Sequence, residues 1–296
     1  MTEFWLFLPQ MRSSIEQLVG RARAAEIAGF RGIALMDHLA PPMAEAQPMY
    51  DALTTSAWLA ASTTTLRVGQ LVLCDAMRHP AVLAKEAVTI DHASGGRFEL
   101  GIGWGSVPDE LRRFGVADPA AEPRRARLAE TLAVLEALWT GEVVSFDGAF
   151  HHLDGAQQRP VPLGRIPIVI GGTGPKTMEL VARYADWWNV PLTSLNRLDD
   201  LRADAGDARA SVQLMVALVH DETSRAEVTE VATKRFGVYG DGLLIGTTDE
   251  LAERCAALAD RGVDRIYAWF ADFARDETLA AFGADVVSQF HPASNP

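Results

Sequence analysis

The chain has 296 residues, 48% of them hydrophobic, and its 39 acidic and 27 basic side chains give a formal net charge of −12. This length and apolar content suffice for a sizeable core, and we expect one domain over residues 1–296. The negative charge repels a phosphate backbone or an anionic lipid surface, so nucleic acid and membrane partners are not expected.

Two cysteines, Cys74 and Cys255, stand far apart and outside any CxxC pairing. The sequence therefore predicts neither a disulfide framework nor a cysteine zinc site. The first residues lack the basic region and apolar stretch of a signal peptide, and no window has the length of apolar sequence that a membrane span needs. Together these features predict a cytoplasmic protein.

Short apolar segments alternate with amphipathic helical segments along the chain. The apolar segments are typical of buried parallel strands. We expect strands near residues 4–8, 32–36, 66–73, 97–102, 166–170, 186–190, 212–219 and 265–269. One intervening helix places four leucines on a single face, at Leu128, Leu132, Leu135 and Leu138. Eight such units favour a closed (β/α)8 barrel at least as well as an open doubly wound sheet.

Two segments interrupt this alternation. Residues 141–164 are rich in Gly and Pro and contain two short β-like pieces, 143–146 and 150–153, which predict a hairpin insertion between strands four and five. Residues 237–246 form a second irregular segment, which separates two helices after the seventh strand.

In a (β/α)8 barrel the active site forms at the carboxyl ends of the strands. Predicted strand two ends at Asp37 and His38. A histidine there can carry a proton, because its pKa lies near neutrality. The structural alternative is that Asp37 caps the following segment and satisfies His38.

Predicted strand four runs into a glycine-rich turn, Gly101 to Ser106, which does not match a dinucleotide fingerprint because Ser106 stands at the third glycine position. The turn can admit a flat ring beside Gly103, with Trp104 as a wall. Alternatively, the glycines mark a bend and Trp104 packs under a loop.

Predicted strand five ends at Gly171, Gly172, Thr173 and Gly174, and a helix then begins at a proline. Free main-chain amides at a helix N-terminus bind phosphate, and Lys176 in the first turn can add a cationic contact. The structural alternative is a tight connection between strand and helix without a ligand.

Other barrel chemistries lack their residues. Adjacent His151 and His152 point to opposite faces of a strand, and no HExxH or clustered ligand spacing predicts a metal site. The three lysines, Lys85, Lys176 and Lys234, fall in predicted helices, which argues against a Schiff-base aldolase. No GxSxG motif of a serine hydrolase occurs.

Several of these stretches, in this order, resemble the luciferase-like monooxygenase superfamily. They are residues 36–38 (MDH), 78–80 (RHP) leading to 89–97 (TIDHASGGR), 100–105 (LGIGWG), 138–142 with 146–148, and 167–175 (PIVIGGTGP) running into 185–189 (ADWWN). The resemblance implies a luciferase-like (β/α)8 TIM barrel that binds FMN or the deazaflavin coenzyme F420 at the strand carboxyl ends. It also implies that the cofactor phosphate lies on the glycine turn after strand five.

The resemblance has finer implications. The pair Asp37-His38 is similar to the deazaflavin-dependent branch, which implies F420 as cofactor and FMN as the alternative. Members of that branch often carry a cis peptide on strand three, here near Leu71-Val72-Leu73, so Leu71 and Val72 are expected to line the ring. Sugar-phosphate dehydrogenases of the family place a glutamate where this chain has Ser106, which argues against a sugar phosphate as substrate. Family analogy also implies a homodimer.

We therefore expect hydride transfer between F420 and a small organic substrate, with His38 and Asp37 as the catalytic residues. Three alternatives remain open at this stage: an FMN-dependent monooxygenase, a non-catalytic flavin-binding protein and a metal-dependent barrel hydrolase.

Overall fold

The computed structural model describes residues 1–42, 44, 46–116 and 120–290. Helices and strands alternate through most of these ranges. None of the helices described there is long and apolar enough to cross a membrane.

The strands of the described ranges are β1 (Glu3–Phe7), β2 (Gly32–Leu35), β3 (Arg67–Gln70), β4 (Leu73–Cys74), β5 (Leu100–Gly103), β6 (Val143–Asp147), β7 (His152–Gln157), β8 (Ile168–Gly171), β9 (Trp187–Val190), β10 (Arg209–Leu218), β11 (Leu243–Gly246) and β12 (Val263–Phe270). The helices are α1 (Ile15–Ile27), α2 (Ala52–Ser62), α3 (Pro80–Ser94), α4 (Pro108–Arg113), α5 (Ala121–Trp139), α6 (Pro175–Tyr184), α7 (Leu198–Leu201), α8 (Arg225–Phe236), α9 (Thr248–Asp260) and α10 (Asp276–Asp285).

The main sheet is parallel and curls into a barrel. Its strands follow the order β3, β2, β1, β12, β10, β9, β8, β5 and β4. The two ends of this path meet, because Val68 of β3 forms a parallel bridge with Phe98, just before β5, and β4 pairs with β5 directly. The predicted (β/α)8 barrel is therefore confirmed, and the open doubly wound sheet is not the architecture.

Barrel strand three is split where one strand was predicted over 66–73. The peptide bond between Leu71 and Val72, which separates β3 from β4, is cis. The resemblance implies a cis bond at this place, and the structure confirms it.

Two elements lie outside the simple barrel alternation. Strands β6 and β7 pair with each other in antiparallel register, between β5 and β8 in the chain. Residues 237–246, predicted to be irregular, instead form a 3-10 segment, Gly237–Gly242, followed by β11, which pairs with the carboxyl-terminal part of β10. The four residues of β11 are too few to show a strand pattern in the sequence.

Buried charges fill the amino-terminal end of the barrel. Arg265 of β12 is 1% exposed, and its guanidinium lies 2.7 Å from Glu99 and 2.5 Å from Glu3. Glu99 also accepts a hydrogen bond of 2.6 Å from Arg67 of β3. The ring of Trp187, from β9, lies 3.6 Å from the Arg265 guanidinium carbon. This ion cluster connects strands from opposite sides of the barrel.

Replacing Arg265 by methionine is expected to lower the free energy of unfolding by about 3–5 kcal/mol, because the carboxylate of Glu99 would lose a buried cation. The matched control is Arg275→Met. Arg275 lies 3.7 Å from Glu277, with both side chains 69% exposed, and its loss should cost less than about 1 kcal/mol. Urea unfolding followed by circular dichroism measures both. Equal effects of the two substitutions would contradict the structural role of the ion cluster.

Candidate active site

A cavity of about 590 Å³ opens at the carboxyl ends of the barrel strands. Most of the predicted site residues line it: Asp37, His38, Leu71, Val72, Gly103, Trp104, Gly171, Gly172, Thr173 and Gly174. The structure thus brings together residues that follow β2, β3, β5 and β8. Lys176 is the predicted site residue that does not line the cavity.

Asp37 is buried and bound to the loop after β4. Its carboxylate accepts two hydrogen bonds from the guanidinium of Arg78, at 2.5 and 2.9 Å, and one of 2.8 Å from the main-chain amide of Cys74. Arg78 also reaches Asp51 at 3.0 Å. Burial lowers the pKa of Arg78, but the two carboxylates outweigh it and raise that pKa overall. Asp37 therefore fixes the position of the loop after β4, which forms part of the cavity wall.

His38 has a different partner. Its Nδ1 lies 2.8 Å from Oε2 of Glu110, a carboxylate of α4 that is 3% exposed. The other oxygen of Glu110 accepts hydrogen bonds from the amides of Leu39 and Ala40, at 2.5 and 3.0 Å. Among the described residues, Nε2 of His38 has no hydrogen-bond partner. Glu110 fixes the ring and leaves its second nitrogen available in the cavity.

Sequence reasoning missed Glu110. The signal was present but weak: an acidic residue stands directly before Leu111 in a short helix that begins with Pro108. Nothing in the sequence relates this position to His38, which lies 72 residues earlier. Nor did the sequence show that Asp37 would pair with Arg78 and leave His38 to Glu110.

The turn after β8 has the geometry of an anion cradle. Gly172 has a φ of +132°, which is favourable only for glycine, and its amide donates to the carbonyl of Asn189 at 3.1 Å. The amides of Thr173 and Gly174 have no hydrogen-bond partner among the described residues. These amides stand at the N-terminus of α6, where the helix dipole favours negative charge.

Of the described residues that line the cavity, Arg125 of α5 is the arginine. Its Nη2 lies 2.8 Å from Glu122, whose carboxylate also pairs with Nζ of Lys176. The side chain of Lys176 is 58% exposed. In contrast, Nε of Arg125 is buried and has no hydrogen-bond partner among the described residues. Sequence reasoning missed Arg125, although the arginine-rich start of α5 was a signal that could have found it.

The remaining wall is made by the turn after β5 and the segment around the cis peptide. A Cβ atom added at Gly103 would lie 2.9 Å from Cγ2 of Val72, so a glycine is required for this close approach. Trp104 lines the cavity and also packs against the core, with the Arg124 guanidinium 4.8 Å from its ring centre. Beside this wall, burial raises the pKa of the Cys74 thiol to about 11, so Cys74 is not a thiolate at neutral pH.

The paired histidines lie elsewhere and do not act together. Nε2 of His151 lies 3.0 Å from Thr131, whereas Nδ1 of His152 lies 2.8 Å from Asp147. Burial lowers the pKa of His151 to about 4. Within the described residues, no group of three or more His, Cys, Asp or Glu side chains is arranged to hold a metal ion.

The sequence is similar to those of an F420-dependent dehydrogenase and an FMNH(2)-dependent monooxygenase. Over 245 residues, 82% of the chain, the sequence is 31% identical to F420-dependent hydroxymycolic acid dehydrogenase of Mycobacterium tuberculosis. The match spans 62% of that protein's length, less than two thirds. The sequence is also 28% identical to FMNH(2)-dependent dimethylsulfone monooxygenase of Pseudomonas fluorescens, over 90% of this chain and 84% of that protein.

A solved structure, an F420-dependent secondary alcohol dehydrogenase in complex with an F420-acetone adduct, superposes with a TM-score of 0.82. The superposition covers 98% of this chain and 99% of that chain at 18% identity, a likeness of fold alone. The sequence profile of luciferase-like monooxygenases matches residues 2–236. The chain therefore belongs to the luciferase-like monooxygenase family.

Proposed function

We propose that the protein is an oxidoreductase that uses coenzyme F420 for hydride transfer to or from a small organic substrate. The observation that carries this proposal is the His38–Glu110 pair in the cavity, with Nε2 of His38 free of hydrogen-bond partners from the described part of the chain. When bound, an oxidised deazaflavin accepts a hydride from the carbon of an alcohol, whose hydroxyl proton must then pass to a base. The F420-dependent relative supports the choice of cofactor.

His38 supplies that base. A carboxylate accepts hydrogen bonds and does not donate them, so the contact with Glu110 keeps a proton on Nδ1 of the neutral ring. Nε2 then carries the lone pair and receives the proton of the substrate hydroxyl. Glu110 acts through His38 and is a positioning residue, as is Asp37, which acts on the loop after β4.

The cavity residues fit a flavin-type cofactor with a phosphate. The amides of Thr173 and Gly174, which have no partner among the described residues, together with the guanidinium of Arg125, would hold the phosphate at the start of α6. Gly171 and Gly172 shape this turn, whereas Lys176, predicted to contact the phosphate, pairs with Glu122 and has a side chain that is 58% exposed. The ring would lie against the wall formed by Leu71, Val72, Gly103 and Trp104.

The homodimeric state, the cytoplasmic location and the single domain over residues 1–296 stay predictions. The FMN-dependent monooxygenase and the non-catalytic flavin-binding protein are the outcomes that the following experiments separate from the proposal.

Parallel titrations of the protein with F420 and FMN should give the lower Kd for F420. Replacing Arg125 by methionine should weaken F420 binding at least tenfold, because a hydrogen bond to a charged group contributes about 1.5–3 kcal/mol. Lys176→Met is the matched control and should change the Kd by less than about threefold, because exposed ion pairs contribute little. Tighter binding of FMN, with oxygen-dependent turnover of the reduced form, would establish the monooxygenase instead.

Substitution of His38 by alanine should lower turnover by about 10²–10⁴-fold and leave the Kd for F420 unchanged. Glu110→Gln should lower alcohol oxidation as well, because the amide can donate to Nδ1 and so place the ring proton on Nε2. His152→Ala is the control, since this histidine is 68% exposed and lies on β7. Steady-state kinetics and thermal unfolding measure the effects. Full activity of His38→Ala would argue for another base.

A further inference from the structure

Within the described part of the chain, a second cavity of about 300 Å³ shares no lining residue with the active-site cavity. It lies between two 3-10 segments, Leu192–Arg197 after β9 and Gly237–Gly242 before β11, and one face of helix α9. We name it the outer cavity. Its volume is at the lower end of the range for small-molecule sites, so a small metabolite fits it better than a cofactor.

The buried residues that line the outer cavity are three leucines. Leu195 comes from the first 3-10 segment, Leu244 from β11 and Leu258 from α9. Ala257, which is exposed, adds a methyl group beside them. A branched hydrocarbon group placed against these side chains leaves water, which is favourable. This part of the outer cavity therefore suits an aliphatic group.

The contacts around the outer cavity fix its shape. A Cβ atom added at Gly242 would lie 2.2 Å from the carbonyl oxygen of Leu192, so the close approach of the two 3-10 segments requires a glycine. Nη2 of Arg261, at the end of α9, donates to the carboxylate of Asp199 on α7 at 2.9 Å. The elements that line the outer cavity are thus connected to one another by the protein itself.

Two opposite charges of the outer cavity are available to a ligand. Arg254 of α9 and Asp241 of the second 3-10 segment both line it and are exposed. Neither has a hydrogen-bond or ion-pair partner among the described residues. The other polar lining residues are Arg261, which already pairs with Asp199, and Asn196, whose amide is neutral. The outer cavity therefore offers one guanidinium and one carboxylate.

This pair of charges selects among ligand classes. A simple anion would gain Arg254 but approach the carboxylate of Asp241, and a simple cation would meet the reverse arrangement. An uncharged hydrocarbon would cover the leucines but displace water from two unpaired charges, which costs free energy. A zwitterion satisfies both charges, and its carboxylate can accept two parallel hydrogen bonds from a guanidinium.

We propose that the outer cavity binds a free α-amino acid with an aliphatic side chain, such as leucine. The carboxylate pairs with Arg254, the ammonium group pairs with Asp241, and the side chain packs on the three leucines. This site does not depend on the function proposed for the active-site cavity. Its occupant would nevertheless contact the 3-10 segment of Tyr239, whose ring lies 6.1 Å from that of Trp269 in the active-site cavity.

Calorimetric titration of the whole chain with leucine tests the proposal and should give a Kd of about 1 mM or lower. Three probes each lack one group of the ligand: glycine has no side chain, 4-methylpentanoate no ammonium group and 3-methylbutylamine no carboxylate. Each should bind at least tenfold more weakly than leucine. Binding of 4-methylpentanoate or 3-methylbutylamine as tight as that of leucine would show a site for a single charge and would overturn the proposal.

Substitutions locate the site. Arg254→Met and Asp241→Asn should each weaken leucine binding at least tenfold, because each removes a hydrogen bond between charged groups. The matched controls are Arg275→Met and Asp249→Asn, exposed residues that do not line the outer cavity, and they should leave the Kd unchanged. Thermal unfolding checks that each variant is folded.

Hydrogen exchange provides a second readout of the same site. Leucine should slow amide exchange across residues 237–244 and 254–261, which carry the two charges, and should not do so in Arg254→Met. Absence of leucine binding, equal binding by the variants and the unsubstituted protein, or unchanged exchange in these two segments would overturn the proposal.

Discussion

The interaction on which the rest of the structure depends is the burial of one cation, Arg265, inside the barrel. Its guanidinium lies between the indole rings of Trp5 and Trp187, at 4.3 and 3.6 Å, and is neutralised by Glu99 and Glu3. A buried charge is tolerated only when all of its partners are in place. The cluster therefore fixes the relative positions of β1, β9, β12 and the segment before β5. It also fills one end of the barrel, which leaves the opposite end for the cavity.

Strand β12 relates this closed end to the open one. Alternate residues of a strand point to the same side, so Arg265, Tyr267 and Trp269 follow one another along the barrel interior. Arg265 belongs to the ion cluster, Tyr267 packs between that cluster and the cavity, and Trp269 lines the cavity. Both the stability of the barrel and the shape of the site thus depend on the register of a single strand.

The sequence was sufficient to predict features that depend on neighbouring residues. The strand segments, the glycine turn at Gly171–Gly174 and the helix that begins at Pro175 each follow from local residue patterns, and the structure has them. The contacts of Glu110 with His38 and of Arg265 with Glu99 could not be predicted. They join residues 72 and 166 positions apart, and only the closed barrel brings such residues together. For the same reason Arg125 was overlooked in favour of Lys176, which is nearer in sequence to the glycine turn.

The short strand β11 has an evolutionary consequence. β9 pairs with residues Arg209–Val212 of β10, and β11 pairs with Met215–Leu218, whereas β12 pairs with β10 along Ala210–Val216. The pairs that close the barrel therefore do not require β11 or the 3-10 segment before it, which contributes Tyr239. Leu244 is nevertheless part of the buried core, and a Cβ atom added at Gly242 would lie 2.2 Å from the carbonyl oxygen of Leu192, so the stretch tolerates change at its exposed positions and not at these two.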